Sequence, residues 1–283
     1  MPNTAPAPAR PTILAALGKR FWGIPLWLLL WGWIGLVILP MVGTLIQAFG
    51  REWFDTVLPQ HFTTEWVAAT HRELDLLTKL WNSAIIAILV VVLSLGIALP
   101  AAYGLARYDF PGKVALSTFL LIPILLPPLT YGFPVAQIMI AIGLSNTHLG
   151  IALAQCIDIV PYVLLMLRGV IAGIPVALEE QAATLGANSL QVVRQVIMPL
   201  ILPGISAATA WAVAKSFSEV PLTVLVFGAN TQTLATVLFA NFDSSSSTPG
   251  RDAALVLWLF VPSAILLLFT MRMMKAESMS LKG

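Results

Sequence analysis

Residues 81–103 read WNSAIIAILVVVLSLGIALPAAY, an apolar run free of Asp, Glu, Lys and Arg. At about 1.5 Å per helical residue it is long enough to cross a hydrocarbon layer of roughly 30 Å. Further largely apolar runs, two of them carrying Asp158, Lys215 or Glu219, lie at residues 24–49, 114–142, 151–167, 203–227 and 253–271. The chain therefore reads as an all-α, polytopic membrane protein with about six transmembrane helices. The composition agrees. Of 283 residues, 58% are apolar and only 10% charged, with a mean hydropathy of +0.90, proportions that a water-soluble domain could carry only by exposing large apolar patches.

Several classes fall away on the same evidence. The formal net charge is +2 and the basic residues are scattered between apolar runs, so no basic stripe offers itself to nucleic acid. Cys156, the single cysteine, sits inside an apolar run, which excludes a disulfide framework and a cysteine metal cluster. His61, His71 and His148 form no ligand-like spacing and are expected in solvated outer loops. No cofactor or metal site and no catalytic triad of nucleophile, base and orienter is evident. Trp22, Trp27, Trp31, Trp33 and Trp81 suit interfacial anchoring and lipid contact. Residues 1–20 read as a disordered cytoplasmic tail, Pro- and Ala-rich over its first twelve positions, 21–275 as the membrane domain, and 276–283 as a second tail.

Lys and Arg bookkeeping orients the chain. With six crossings, one side collects Arg10, Lys19, Arg20, Arg107, Lys113, Arg168, Arg194, Arg272, Lys275 and Lys282, and the other only Arg51, Arg72, Lys79 and Arg251 among several acids. Both termini are expected in the cytoplasm. The first outer loop, residues 50–80, should hold a short amphipathic stretch, and the Ser-rich residues 244–247 a second outer loop. Pro123, Pro127, Pro128 and Pro134 in the third run predict a kinked helix.

The longest cytoplasmic loop is residues 168–203, RGVIAGIPVALEEQAATLGANSLQVVRQVIMPLILP, and such length calls for a reason. Pro175 suits a helix start, Glu179 and Glu180 lie where the helix dipole favours acids, and Gly186 suits a left-handed end. Asn188 with Gln191 predicts a capping box for a second helix, residues 190–196, which Pro199 should stop. Two short helices around a glycine elbow make a compact knob.

Glu180, Gln181 and Ala182, then Gly186, then Val196, Met198 and Pro199 resemble the EAA signature of the inner-membrane permease subunits of ABC importers. The family's spacing is kept throughout, with Gln181, Val196 and Met198 standing where it has Ala, Ile and Leu. The resemblance spans roughly residues 20–275. It implies a type I ABC importer permease fold in the bacterial inner membrane, and a partnership with two copies of an ATP-binding subunit, a second permease subunit and an extracytoplasmic solute-binding protein. The knob would dock on the ATPase. Independently, the chain has no G-x-x-x-x-G-K-[ST] phosphate loop, so ATP hydrolysis falls to a partner. Residues 215–220, KSFSEV, are similar to an S-F-D-E motif of spermidine/putrescine (polyamine) permeases, and Pro161 with Tyr162 also resembles that group. Permeases for 2-aminoethylphosphonate, ferric iron and thiamine share the layout.

Asp158, Lys215 and Glu219 fall near the middle of predicted crossings, where an ionised side chain costs on the order of 3 kcal/mol. Lys215 and Glu219 are four apart on one helical face, so they can pair with each other, or Asp158 can take Lys215 across helices. The three are candidate translocation-path residues, their acids suited to a cationic amine, or else an ion-pair cluster that fixes packing. A secondary transporter using them as an ion relay is the rival class, although its expected inverted repeats are not evident.

Overall fold

In a computed structural model, residues 13–52, 58–242 and 248–280 are described. Helix α1 is Ile13–Phe49, followed by a small antiparallel ribbon of β1, Gly50–Arg51, and β2, His61–Phe62, with Gly50 opposite Phe62. Next come α2, Glu65–Leu74, and α3, Leu76–Arg107, joined at Asp75 in a left-handed conformation. Helix α7, His148–Ala172, starts where the Thr147 hydroxyl accepts the Gly150 N–H at 3.0 Å, which satisfies one of the free donors of its first turn. Five described helices contain stretches long and apolar enough to cross a membrane: Trp27–Phe49, Leu76–Arg107, His148–Ala172, Ser189–Ser218 and Pro249–Leu266.

The third apolar run departs from expectation. It forms three pieces rather than one kinked helix: α4, Lys113–Leu120, α5, Ile122–Leu125, and α6, Pro128–Ala141. Leu126, just before Pro127, is extended at φ −97°, ψ 141°. The proline ring disfavours helical geometry in the residue before it, and two prolines in succession make a break cheaper than a bend. Pro134 stays inside α6.

The fifth run differs at both ends. A three-residue turn α9, Ser189–Gln191, leads through a wide π-helical turn at residues 192–197 into α10, Met198–Ser218. Pro199 therefore does not stop the second knob helix. It sits at the second position of α10, directly after the π turn in which the Met198 N–H reaches back to the Val193 carbonyl, and the widened ladder accommodates the missing N–H within a continuous helix. At the other end α10 closes at Ser218, short of the predicted limit at residue 227, and α11, Thr223–Val226, and α12, Leu234–Phe242, follow before α13, Pro249–Ser280.

Helices α1 and α13 take in residues 13–20 and 276–280, which the sequence assigns to the tails. The expected tail over residues 1–12, with Arg10, together with Asp55, Asp243, the serine run 244–247 and Lys282, lies outside the described residues, as do the side chains of Lys19, Arg20, Trp22 and Lys275. The amphipathic stretch expected in the first outer loop is α2.

The core runs along the contact of α3 with α7, where Val90, Ala98 and Ala102 meet Ile151, Ala152, Ile159 and Val163, all buried. Lipid tails are as apolar as leucine, so close packing has to substitute for a hydrophobic drive, and small residues allow it. Helix α10 joins through Gly204, where an added Cβ would lie 2.8 Å from one Val170 methyl and 3.2 Å from its Cβ. Gly204→Leu is expected to lower the unfolding midpoint in detergent by roughly 5 °C through overpacking. An unchanged midpoint in a fluorescence melt would refute this contact. By contrast Trp27, Trp31 and Trp33 of α1 are about 60% exposed or more, and Trp81 likewise faces outward, as lipid-facing aromatics do.

Candidate functional site

One end of the bundle carries the knob. Helix α8 is Ala177–Thr184, with Glu179 and Glu180 in its first turn, and none of its residues is buried. It ends in a Schellman arrangement: the Ala187 N–H bonds the Ala182 carbonyl at 3.1 Å, and the Gly186 N–H bonds the Ala183 carbonyl at 3.0 Å. Gly186 takes φ +90°, with nothing within 4 Å of the place where a Cβ would sit. The expected capping box follows, with the Gln191 N–H donating to Asn188 Oδ1 at 2.9 Å and the Asn188 N–H donating to Gln191 Oε1 at 2.8 Å.

Between α8 and the π turn lies an open groove of about 360 Å³ lined by Ala182, Leu185, Gly186, Ala187, Gln191 and Val196. Glu180, Gln181 and Gly186 are exposed, while Ala182, Val196, Met198 and Pro199 are half-buried. The signature positions thus divide into an outward edge on α8 and an inner side against the π turn.

The adjacent acid behaves differently. Glu179 is ion-paired with Arg107 at the end of α3, their side chains only 14% and 7% exposed. Tyr103 Oη donates to its other carboxylate oxygen at 2.8 Å, and Arg107 Nη2 donates to the Ile174 carbonyl at 3.1 Å. From the sequence Arg107 is only a marker of sidedness, because a pair between positions 107 and 179 leaves no local spacing to read. Nearby, the Lys113 ammonium 2.8 Å from exposed Asp109 holds that carboxyl below the usual carboxylate range.

Within the bundle, Lys215 Nζ lies 3.0 Å from Asp158 Oδ2, so the pair forms across α7 and α10. Glu219 is not a partner of Lys215. It falls just past the end of α10, is 3% exposed, and turns its carboxylate to the start of α11. It accepts from the Leu222 N–H at 2.8 Å, the Thr223 N–H at 2.9 Å and the Thr223 hydroxyl at 2.6 Å. Gln155 Nε2 donates to Thr223 Oγ1 at 2.8 Å, and Ser216 Oγ donates to Gln155 Oε1 at 2.6 Å. This chain of bonds, which the sequence did not single out, joins α7, α10 and α11. A buried carboxylate unable to reach a cation gains its stabilisation from N–H and O–H donors instead. Of the acid–base trio, only Asp158 and Lys215 meet.

The opposite end is pinned by Asn82, whose side-chain amide donates to the Asn230 and Gln232 carbonyls at 3.0 and 2.9 Å and whose oxygen meets His148 Nε2 at 2.9 Å. His71 stacks on Trp258 with ring centroids 5.1 Å apart. These two histidines are therefore packed rather than solvated, while His61 is exposed.

The sequence matches the model of the family described as "Binding-protein-dependent transport system inner membrane component" over residues 94–276. It is 30% identical over 218 residues to the diacetylchitobiose uptake system permease protein DasC of Streptomyces coelicolor, covering 74% of this chain and 77% of the relative. It is also 30% identical over 161 residues to the molybdenum transport system permease protein ModB of Escherichia coli K12, covering 51% and 70%. Among solved structures, the fold is similar to that of a bacterial ABC transporter involved in import of the acidic polysaccharide alginate, with a TM-score of 0.74 at 17% identity over 95% of this chain and 99% of that one. Diacetylchitobiose and molybdenum stand in the two relatives' names rather than a polyamine, so the polyamine kinship expected from residues 215–220 finds no support in them.

Proposed function

The chain belongs to the binding-protein-dependent transport system inner membrane components, the permease subunits of ABC importers, and from that premise we propose how it couples and what it carries. It works beside a second permease subunit, identical or paralogous, with two ATP-binding subunits below and an extracytoplasmic solute-binding protein above. The knob docks on the ATPase, with Glu180, Gln181 and Gly186 at the contact, Ala182 and Val196 lining the groove behind it, and Met198 and Pro199 setting the start of α10. The observation that carries this is the exposed α8 turn, whose C-terminal elbow is fixed by the Schellman closure and, directly after it, by the capping box that opens α9. A rigid protrusion is what a subunit without its own phosphate loop needs in order to receive work.

The knob end then faces the cytoplasm together with Arg107, Lys113, Arg168 and Arg194, and both termini lie on that side. ATP-driven closure of the ATPase pair displaces the knob, and the helices rock between outward-open and inward-open arrangements.

The solute is oxygen-rich, a sugar or an oxyanion, rather than a polycation. At the midspan pair the accessible partner is the ammonium: the Lys215 side chain is 35% exposed and that of Asp158 6%. Glu219 spends both carboxylate oxygens on the chain itself. A polyamine, or ferric iron, would meet the wrong sign of exposed charge. The test is uptake into vesicles that hold the complete transporter, with a disaccharide, molybdate and spermidine each presented through the associated binding protein. Uptake of the sugar or the oxyanion should require ATP, and Asp158→Asn should lower it about ten-fold at equal expression by leaving Lys215 unpaired. Spermidine as the preferred cargo, or unchanged uptake by the variant, would overturn the solute reading, and import without nucleotide would restore the secondary-transporter class.

A further inference from the structure

We infer that Arg107 is a positioning residue for coupling, a tether that makes the knob and the second crossing move as one body. This deepens the reading above and rests on it. Helix α8 has no buried residue, so little apolar packing holds it to the bundle. What binds it is polar and convergent. The Arg107 guanidinium holds the Glu179 carboxylate and, through Nη2, the Ile174 carbonyl just before α8, while Tyr103, one helical turn earlier, takes the second carboxylate oxygen. The guanidinium is 7% exposed and the carboxylate 14%, which removes most of the water screening that makes surface pairs weak.

The mechanical consequence follows from what each end is fixed to. Arg107 and Tyr103 belong to α3, which is packed along its length on α7. Glu179 is adjacent to Glu180 but points the other way, inward to α3 while Glu180 is exposed. The acidic pair thus divides its work: one carboxylate is available to an ATPase partner and the other grips the membrane bundle. A push on the outer edge of α8 is carried by Glu179 into α3, and through the α3–α7 contact to the Asp158–Lys215 pair on α7 and α10. Only an arginine suits this position, since its planar fork bonds a carboxylate and a carbonyl at once, and a lysine ammonium cannot reproduce that geometry.

Two measurements test it on the full-length protein. By hydrogen exchange on the purified chain alone, Arg107→Ala should raise exchange of the amides in residues 176–187 by about ten-fold, with α7 unchanged. In the reconstituted transporter, the same variant should keep the ATPase bound and hydrolysing while ATP consumed per solute imported rises about ten-fold, with Arg107→Lys intermediate. An unchanged exchange rate, or a wild-type ratio for Arg107→Ala, would overturn the tether. A wild-type chain that binds no ATPase would instead overturn the importer reading itself, a result recognisable because it precedes any variant.

Discussion

Gly186→Val is expected to strip the ATPase partner from the chain and abolish uptake, both falling well beyond ten-fold, while the membrane bundle stays folded. Gly186 sits at φ +90°, in the region where an L-residue's Cβ crowds the carbonyl oxygen at a cost of about 1–2 kcal/mol, and more for a β-branched side chain. No neighbour lies within 4 Å of the added atom, so the cost is purely one of backbone conformation, and the chain can escape it only by swinging the φ angle. That swing dissolves the bonds from Ala187 to Ala182 and from Gly186 to Ala183 and turns α8 away from the capping box. Gly186→Asn should retain most function, because asparagine is one of the few L-residues enriched in the left-handed region and takes this helix-end position when glycine does not. Co-purification of the ATPase and uptake into vesicles are the measurements. Equal retention by the Val and Asn variants would show that the elbow angle is irrelevant to docking.

The features legible in the sequence are those written in local chemistry. The left-handed close at Gly186 and the reciprocal box of Asn188 with Gln191 depend on residues within a turn of one another, and they appear in the structure as read. The apolar runs at residues 81–103 and 151–167 likewise show their length directly and fall inside α3 and α7. Proline is legible only as a disturbance, and the form that disturbance takes depends on neighbours. Pro127 and Pro128 break a helix outright, whereas Pro199 is absorbed after a widened turn and Pro134, Pro161 and Pro203 remain inside helices.

The intramembrane charges were harder for a related reason. Spacing alone allowed Lys215 to pair with Glu219 four residues on, but that pair requires helix to persist through position 219, and α10 ends at Ser218. Once the helix ends, Glu219 is carried to the start of α11 and Lys215 is left to Asp158. The Arg107–Glu179 tether was invisible altogether, because nothing local joins its ends.

Glu219→Ala is accordingly expected to destabilise the whole protein rather than merely alter its cargo. The substitution strands the Leu222 and Thr223 N–H groups and the Thr223 hydroxyl in a region where Glu219 itself is 3% exposed, and each buried donor left without a partner costs about 1–3 kcal/mol. Thr223 also loses the anchor that holds it against Gln155, so the link from α7 to α11 slackens as well. The unfolding midpoint in detergent should drop on the order of 10 °C. Glu219→Gln, which keeps one carbonyl oxygen but places an amide donor against the remaining donors, should lie between. The alternative role, a carboxylate lining the solute path, makes the opposite forecast: an unchanged midpoint with uptake lost in both variants. A melt and an uptake assay on the same preparations separate the two, because a group whose oxygens are both bonded to its own chain cannot be released to a solute without the cost of breaking α11.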